Sequence, residues 1–354
     1  MRVKTLAAAA IASTLCAGVS ACSSSGGGSG GAGESAGGST PLVGVDYPRS
    51  DSDFWNAYIK YMPEMAKTVG VSLKTTNSQN DISKLADNVN TLVAQGVKGV
   101  VIAPQDTAAV VPTLSQLAAK KIPVVSVDTR PDSGDVYMVV RANNKAYGEK
   151  ACKYIGDTLH GKGKVVMFEG DLGSINGRDR TEAFNACMKA NYPKIKVFGE
   201  ATKWDPPTAI SKLNTVLAGN KINAIYMQAS IYLPSTLQAL KQKKLLVPRG
   251  KSGHIVIVSN DGVPAEYAAI KSGQMDATVS QPADLYSKYA LQYIKAAIEG
   301  KTQKPGPDGH GGTIIQVRKG LLEDQIPAPL VTIDGKYPDS KAVTDKALWG
   351  NAVS

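Results

Sequence analysis

The sequence is poor in the residues that most often carry enzymatic chemistry. Its 354 residues include three histidines, four cysteines and only 6% aromatic residues. His160, His254 and His310 are not paired with one another at a metal-ligand spacing, and no nucleophile elbow occurs. After the N-terminal segment, no apolar run reaches the length of a membrane-spanning helix. We therefore expect no enzymatic activity, no resident metal or cofactor, and no internal membrane span.

Nucleotide and nucleic-acid sites are also poorly supported. Residues 156–162 resemble the first part of a phosphate loop, but Gly163 stands where Ser or Thr is required. The basic residues outnumber the acidic ones by 40 to 30, which gives a net charge of +10. They are scattered, however, and are not interleaved with aromatic residues as a single-strand binding platform requires. We expect no nucleic-acid partner.

The N-terminus has the pattern of an export signal. Arg2 and Lys4 precede an apolar run over residues 6–19, which is too short to span a bilayer comfortably. We therefore predict that residues 1–21 are a signal peptide.

The end of this signal resembles a bacterial lipobox. Val19-Ser20-Ala21-Cys22 would be cleaved before Cys22, whose thiol would then carry a lipid. Residues 22–40, rich in Gly and Ser, would form a flexible tether that holds the rest roughly 20–25 Å from the outer face of the bacterial cell membrane. The alternative is ordinary cleavage after alanine, with Cys22 incidental.

Only Cys152 and Cys187 remain after Cys22. Exported proteins enter an oxidising compartment, so a disulfide between these two cysteines is one interpretation. Two buried free thiols are the other.

Apolar strands alternate with amphipathic helices along most of the chain. A first series of strands is predicted at residues 42–45, 71–73, 100–103, 124–127 and 136–140. A second series is predicted at residues 165–168, 195–198, 224–227, 255–258 and 277–279. Continuous apolar strands between amphipathic helices indicate parallel sheets covered on both faces, and a chain of this length exceeds one hydrophobic core. The pattern predicts an α/β fold with two doubly wound parallel-sheet lobes.

Polar residues recur where the predicted strands end: Asp46, Asp128, Gln228, Asp261 and Gln281. In doubly wound sheets, ligands bind outside the carboxyl ends of the strands. Carboxylates accept hydroxyl protons, and amides both donate and accept, which suits a ligand with many hydroxyl groups such as a sugar. The alternative is that these residues simply begin loops or cap helices.

One arginine, Arg180, is predicted to contact the ligand. Arg180 lies near the start of the helix that carries Phe184, where a cation opposes the helix dipole. Such a cation needs a specific acceptor, which we expect to be ligand oxygens or a carboxylate across the cleft. An ion pair with Asp179 or Glu182 is the alternative.

Three aromatic residues, Phe54, Trp55 and Trp204, stand at junctions between loops and helices. Flat rings fit the C–H faces of a sugar. Trp55 also continues the apolar stripe of its helix, so a packing role is equally open for it.

Five stretches carry a family resemblance through their order and spacing: residues 53–55 (DFW), 125–128 (VSVD), 177–184 (GRDRTEAF), 259–262 (SNDG) and 277–281 (ATVSQ). Over residues 42–333 the chain resembles the type I periplasmic sugar-binding proteins of the ribose-binding kind. The resemblance implies ligand contacts at Asp46, Phe54, Trp55, Asp128, Arg180, Trp204, Asp261 and Gln281.

The resemblance also implies an architecture and a role. Two lobes, residues 41–142 with 282–327 and residues 143–281 with 328–354, would be joined by three crossovers and would close over the ligand. The closed form would deliver a small sugar or polyol to an ABC permease that works with a separate ATPase. We expect a monomer without cofactor or metal. The alternative role is a ligand-binding sensor that feeds a membrane receptor or kinase.

The sequence departs from the family pattern in three places. The first loop, residues 46–53, is longer and more charged than usual. Thr129 follows Asp128 where the family often has arginine, and Arg130 comes one place late. Residues 228–230 (QAS) replace a usual Asn-Asp pair. These departures leave the identity of the sugar open.

Overall fold

Two β-sheets, each covered by helices, organise residues 40–353, the part of the chain that the computed structural model describes. The predicted signal peptide, the predicted lipidation site at Cys22 and nearly all of the predicted tether lie outside the described residues. Within residues 40–353, no helix has both the length and the apolar character that crossing a membrane would require.

The first sheet has eight strands, of which six are parallel. In spatial order they are β11 (Gly306–Pro307), β12 (Thr313–Arg318), β13 (Leu321–Ile326), β5 (Met138–Ala142), β4 (Val124–Val127), β3 (Gly99–Ile102), β1 (Leu42–Tyr47) and β2 (Ser72–Asn77). At one edge of the sheet, β12 runs antiparallel to both of its neighbours, β11 and β13. The central strands β3, β4 and β5 are buried along their whole length, because helices cover both faces.

The second sheet has seven strands. In spatial order they are β15 (Ser340–Ala342), β14 (Leu330–Thr332), β10 (Ala277–Ser280), β9 (Val256–Asp261), β8 (Ala224–Met227), β6 (Lys162–Glu169) and β7 (Lys194–Ala201). Strands β6 to β10 are parallel, and β14 is antiparallel to β10.

Ten α-helices connect and cover the strands in residues 40–353. They are α1 (Asp53–Val69), α2 (Ile82–Ala94), α3 (Val111–Ala119), α4 (Asn144–Thr158), α5 (Ile175–Asn191), α6 (Pro206–Gly219), α7 (Leu233–Gln242), α8 (Pro264–Lys271), α9 (Ala283–Ile298) and α10 (Trp349–Ala352). Several begin with the side-chain cap expected of their sequence; Asp81, for example, accepts hydrogen bonds from the backbone N–H groups of Ser83 and Lys84.

The chain passes between the sheets three times. It leaves the first sheet after β5 at Ala142 and returns after β10 at Ser280. It leaves again between β13 and β14, across residues 327–329. The predicted fold class, two doubly wound parallel-sheet lobes with three crossovers, is confirmed.

Five strands after residue 300 do not appear in the sequence prediction. Strands β11, β14 and β15 have only two or three residues each, and β12 (TIIQVR) and β13 (LLEDQI) mix apolar with polar residues without a continuous apolar run. They form the ends of both sheets on the side where the chain crosses last. Such strands depend on their neighbours for pairing, so their local sequence carries a weak signal.

Helices α4 and α5 pack closely in the second lobe. A Cβ at Gly148 would overlap the backbone of Arg180 and Phe184, so only glycine allows this approach. Cys152 and Cys187, one on each helix, form a disulfide with their Cα atoms 6.2 Å apart. The pair therefore holds Arg180 in a defined position relative to the sheet.

Candidate ligand-binding cleft

A cavity of about 480 Å³, measured to include its opening, lies at the carboxyl ends of the strands of both sheets. Seven of the eight predicted residues line it: Phe54, Trp55, Asp128, Arg180, Trp204, Asp261 and Gln281. Seven more residues complete the lining: Arg49, Ser52, Gln105, Ser174, Asn176, Ala229 and Ile231.

Two aspartates reach the cavity because the chain turns sharply where their strands end. Asp128 directly follows β4 with φ of +63°, and Asp261 ends β9 with φ of +112°. Positive φ is costly for a residue with a Cβ and persists only where surrounding contacts hold it. Trp349 supplies one such contact, because its indole Nε1 donates to the backbone oxygen of Asp261 at 3.2 Å.

Asp128 connects the two lobes through its carboxylate. Its Oδ2 accepts from Asn176 Nδ2 at 2.8 Å, and its Oδ1 accepts from Gln281 Nε2 at 3.0 Å. Asn176 lies on α5 of the second lobe, and Gln281 lies at the second crossover. A group that enters the cavity therefore meets a hydrogen-bonded network drawn from both lobes.

Arg180 is the centre of this network and is only 3% exposed. Its guanidinium donates to Asn144 Oδ1 at 2.6 Å, to the backbone oxygen of Gln228, and to Gln281 Oε1 at 2.9 Å. It also lies 4.9 Å from the centroid of the Tyr147 ring. These contacts fix the planar guanidinium at the wall of the cavity.

Neither the helix dipole nor the alternative ion pair with Asp179 explains the environment of Arg180. The helix α5 begins at Ile175, so Arg180 lies beyond its first turn, where the effect of the helix dipole has faded. The alternative ion pair with Asp179 does not form, since Asp179 binds Arg141 at 3.0 Å. Among the described residues, Arg180 makes no salt bridge within 4.0 Å.

Burial and charge act in opposite directions on the two aspartates. Desolvation raises the pKa of Asp261 to about 6, although the charge of Arg180 and hydrogen bonds from Ser230 favour the ionised form. Desolvation likewise raises the pKa of Asp128, against the charges of Arg180 and Arg141. Arg180 is therefore the cation that most favours the ionised, hydrogen-bond-accepting form of both carboxylates, and Arg141 adds to its effect at Asp128.

Aromatic rings form the apolar part of the cavity. Phe54 and Trp55 occupy the first turn of α1, which Ser52 caps by accepting from the backbone N–H of Trp55. The two rings meet edge to face, with centroids 5.1 Å apart. Trp55 also belongs to the hydrophobic core, so it has the packing role and the lining role together.

Trp204 enters from the loop between β7 and α6. A Cβ at Gly170 would overlap its ring, so the absence of a side chain at Gly170 makes room for it. Its indole Nε1 is buried and has no hydrogen-bond partner among the described residues. A buried unpaired donor is costly, and a polar ligand atom would satisfy it.

Asp46 does not line the cavity, contrary to the ligand contact predicted for it. Its Oδ1 accepts from Thr76 at 2.8 Å and from Asn88 at 2.7 Å. The carboxylate is 2% exposed and joins β1 to β2 and α2. Its position at the end of a strand therefore serves the first lobe itself.

The sequence analysis did not predict several of the residues that line the cavity. Gln105 comes shortly after β3, so the same rule about strand ends could have found it. Ser174 and Asn176 stand at the start of α5, whose beginning the apolar pattern had placed too late. Arg49 lies in the first loop, which was noted only as unusually charged, and its guanidinium pairs with Asp51.

The departures from the family pattern also have structural explanations. Arg130 does not reach the cavity and binds Glu323 at 3.0 Å. Gln228 turns away from the lining, where its Oε1 accepts from the backbone N–H of Gly170 at 2.9 Å. Ala229 and Ile231 line the cavity beside it, which makes this wall more apolar.

Taken together, the lining offers carboxylates, amides, guanidinium groups and aromatic faces. This combination can hold a compact ligand with several hydroxyl groups by hydrogen bonds at its edges and by ring contact at its face.

Comparisons with known proteins agree with this geometry. Residues 43–302 match the sequence model of the family described as "Periplasmic binding protein domain". The D-allose-binding periplasmic protein of Escherichia coli is 30% identical over 261 residues, which cover 70% of this chain and 82% of that protein. The xylitol-binding protein of Mycolicibacterium smegmatis is 28% identical over 249 residues, which cover 70% and 69%.

Solved structures show the same fold. An ABC transporter solute-binding protein from Mycobacterium smegmatis, determined with bound glycerol, aligns with a TM-score of 0.69 at 25% identity, covering 75% of this chain and 90% of that one. A solute-binding protein from Bacillus halodurans, determined with myo-inositol, aligns with a TM-score of 0.72 at 20% identity, covering 84% and 96%. The family consists of substrate-binding proteins rather than enzymes, and its members are exported. On the fold, the cleft and these similarities, the chain belongs to the type I periplasmic sugar-binding protein family.

Proposed function

We propose that this chain captures a small sugar or polyol in its cleft and delivers it to the permease of an ABC importer. The observation that carries the proposal is that Arg180 lines the same cavity as the buried carboxylates of Asp128 and Asp261, whose ionised forms its charge favours, together with aromatic rings. An uncharged ligand rich in hydroxyl groups can donate to both carboxylates and accept from the guanidinium. The relatives named for allose and xylitol, and the similar structure that holds glycerol, support this ligand class.

The mechanism follows from contacts to both lobes. We assign the two lobes the bounds that the sequence predicts, residues 41–142 with 282–327 and residues 143–281 with 328–354. Asp128, Phe54 and Trp55 belong to the first, and Arg180 and Asp261 to the second. A ligand shifts the open–closed equilibrium only through contacts that differ between the two states, so a ligand held by both lobes favours closure. Closure excludes water and strengthens each charge-assisted hydrogen bond to roughly 1.5–3 kcal/mol.

Membrane attachment completes the proposal. Cleavage before Cys22 and lipidation of its thiol would anchor the protein to the outer face of the cell membrane, beside its permease. Labelling with a palmitate analogue tests this step: we expect the wild-type protein to be labelled and Cys22→Ser to be unlabelled. Equal labelling of both proteins, or of neither, would overturn the anchor.

The ligand class is tested by a thermal-shift screen of the purified protein against pentoses, hexoses, polyols, nucleosides and amino acids. We expect the largest increase in Tm with a sugar or a polyol, and calorimetry should then give a 1:1 complex of about micromolar Kd. A hit among amino acids alone would overturn the sugar assignment and keep the binding function. No hit in any class would overturn both.

A further inference from the structure

Three side chains with metal-binding atoms converge at the edge of the first sheet, and none of them lines the cleft. Asp308 and His310 lie on the turn between β11 and β12, and Asp324 lies on β13. His310 Nε2 is 2.9 Å from Asp308 Oδ2 and 3.0 Å from Asp324 Oδ2. The three ligand atoms all lie within 4.8 Å of one another.

The surrounding contacts hold these three groups in position. Asp308 Oδ1 accepts from the backbone N–H groups of His310 at 2.8 Å and Gly312 at 2.9 Å, which leaves Oδ2 facing the imidazole. The ring of Tyr289 stacks on His310 with centroids 3.6 Å apart. The hydroxyl of Tyr293 donates to Asp324 Oδ2 at 2.9 Å. Partners of this kind orient the ligands of metal sites before the ion binds.

The cluster contains more buried acceptors than donors. The side chains of Asp308 and Asp324 are both 0% exposed. Asp308 Oδ2 and Asp324 Oδ1 nevertheless have no hydrogen-bond donor among the described residues other than a proton that the two carboxyl groups share. One hydrogen on His310 Nε2 can serve only one carboxylate at a time. Buried carboxylate oxygens without partners are costly, and a single cation would satisfy several of them at once.

We propose that Asp308, His310 and Asp324 together bind one divalent transition-metal ion, for which Zn²⁺ is the best match. One imidazole nitrogen and two carboxylate oxygens are a donor set that Zn²⁺ accepts, with a fourth position left for water. Calcium and magnesium prefer oxygen ligands and gain little from the imidazole. The ion would join the turn of residues 308–312 to β13 and stabilise the part of the first lobe that leads into the last crossover.

The chain contains a matched control for this site. His254 Nε2 also faces a buried carboxylate, that of Asp276 at 2.9 Å, and its Nδ1 lies 2.7 Å from the backbone oxygen of Val247. In residues 40–353, the groups able to ligate a metal converge in threes only at the Asp308 cluster. The pair of His254 and Asp276 therefore has the same chemistry without the second carboxylate.

The experiment measures metal content and stability on the full-length protein after dialysis against EDTA. We expect the wild type and His254→Asn to bind one Zn²⁺ per chain more than His310→Asn and Asp308→Asn do. A hundredfold excess of Zn²⁺ over its Kd should raise the Tm of the wild type by roughly 5 °C and leave that of His310→Asn unchanged. In EDTA, Asp308→Asn should be folded by near-ultraviolet circular dichroism and at least as stable as the wild type, because it removes one of two facing carboxylates.

Three results would overturn the site. One is equal Zn²⁺ binding by the wild type and His310→Asn, and another is a wild-type Tm that Zn²⁺ does not change. The third is tighter binding of Ca²⁺ than of Zn²⁺ by the wild type, which would remove His310 from the ligand set. Because no arm of the experiment contains a sugar, its outcome is independent of the proposed transport function.

Discussion

At the scale of the residue, Arg180 carries the largest share of the electrostatics of the cleft. Its guanidinium hydrogen-bonds to Asn144, Gln228 and Gln281, and its charge favours the ionised forms of Asp128 and Asp261. Replacing it by alanine would remove a cation from beside two buried carboxylates that line the same cavity, which would affect folding as well as binding. A substitution that keeps the charge therefore separates binding from folding more cleanly.

We expect Arg180→Lys to weaken sugar binding by at least about 100-fold. The lysine ammonium retains the positive charge but cannot reproduce the planar arrangement of N–H donors of the guanidinium. Losing two charge-assisted hydrogen bonds of about 1.5 kcal/mol each corresponds to that factor. Calorimetry with the best ligand from the screen measures the change. Arg249→Lys is the control, because Arg249 donates to the backbone oxygens of Met275 and Ile270 and does not line the cavity. Wild-type affinity in Arg180→Lys would contradict the assignment of this site.

A second residue beside the cleft is a buried acid. Glu266 Oε2 accepts from the backbone N–H groups of Gly262 at 2.7 Å and Val263 at 3.1 Å, and from the hydroxyl of Thr278 at 3.0 Å. Desolvation, together with the nearby charge of Asp261, raises the pKa of Glu266 to about 8. The folded state therefore holds a proton on Glu266 at pH values where the unfolded chain has lost it.

This raised pKa makes stability depend on pH. Because the folded state binds the proton more tightly, the contribution of Glu266 is fully present below pH 4.5 and is lost as the pH rises towards and through about 8. We expect Glu266→Gln to flatten the decline in the free energy of unfolding between pH 5 and 9, measured by urea denaturation at several pH values. The control is Glu299→Gln, whose carboxylate pairs with Lys301 at the surface. Superimposable pH profiles for the wild type and Glu266→Gln would contradict this assignment.

At the scale of the element, the pair of α4 and α5 positions the second half of the cleft. Gly148 allows the two helices to approach, and the disulfide between Cys152 and Cys187 joins them across a sequence separation of 35 residues. Arg180 and Asn176 both project from α5, so the rigidity of the pair bears directly on the network around Asp128.

Removing this disulfide should lower stability more than affinity. In the chain-entropy account, a loop of this length contributes about 3–4 kcal/mol to the free energy of unfolding. We expect Cys152→Ser with Cys187→Ser to lose that amount in denaturant unfolding, and to bind sugar within about threefold of the wild type. Reducing the wild type with dithiothreitol should reproduce the loss. Equal stability of the oxidised wild type and the double variant would show that the bond contributes nothing.

At the scale of the whole molecule, polar contacts outside the cavity also join the lobes. Arg178 on α5 binds Asp132 of the first lobe at 2.6 Å, with both side chains about a third exposed. The hydroxyl of Thr107 donates to Asp132 Oδ1 at 3.0 Å and approaches the backbone oxygen of Gly173 at 3.3 Å. These contacts join the two lobes through residues that do not line the cavity.

Breaking the exposed pair should shift closure slightly. An exposed ion pair contributes roughly 0.2–1 kcal/mol, so we expect Asp132→Asn to reduce sugar affinity by no more than about fivefold. Small-angle scattering should show a larger radius of gyration for the ligand-free variant, and saturating sugar should restore the wild-type curve. An unchanged radius and an unchanged affinity together would show that this contact does not favour closure.

The sequence by itself determined the alternation of strands and helices, and with it the two lobes. Buried parallel strands need continuous apolar residues, and the helices that cover them need one apolar face, so both patterns are local and readable. Because strand ends can be predicted from the local sequence, Asp128, Asp261 and Gln281 could be assigned to them. In a doubly wound sheet, ligands bind outside the carboxyl ends of the strands.

Only the tertiary structure decided which polar side chains line the cavity and which form hydrogen bonds with neighbouring residues of the same lobe instead. Asp46 and Asp128 both stand at strand ends, yet Thr76 and Asn88 bind the first, whereas the second meets residues from the other lobe. The short strands after residue 300, and the cluster that Asp308 forms with Asp324, likewise depend on partners distant in the chain. Local patterns report burial and periodicity, but a hydrogen-bond partner is a property of two positions in space.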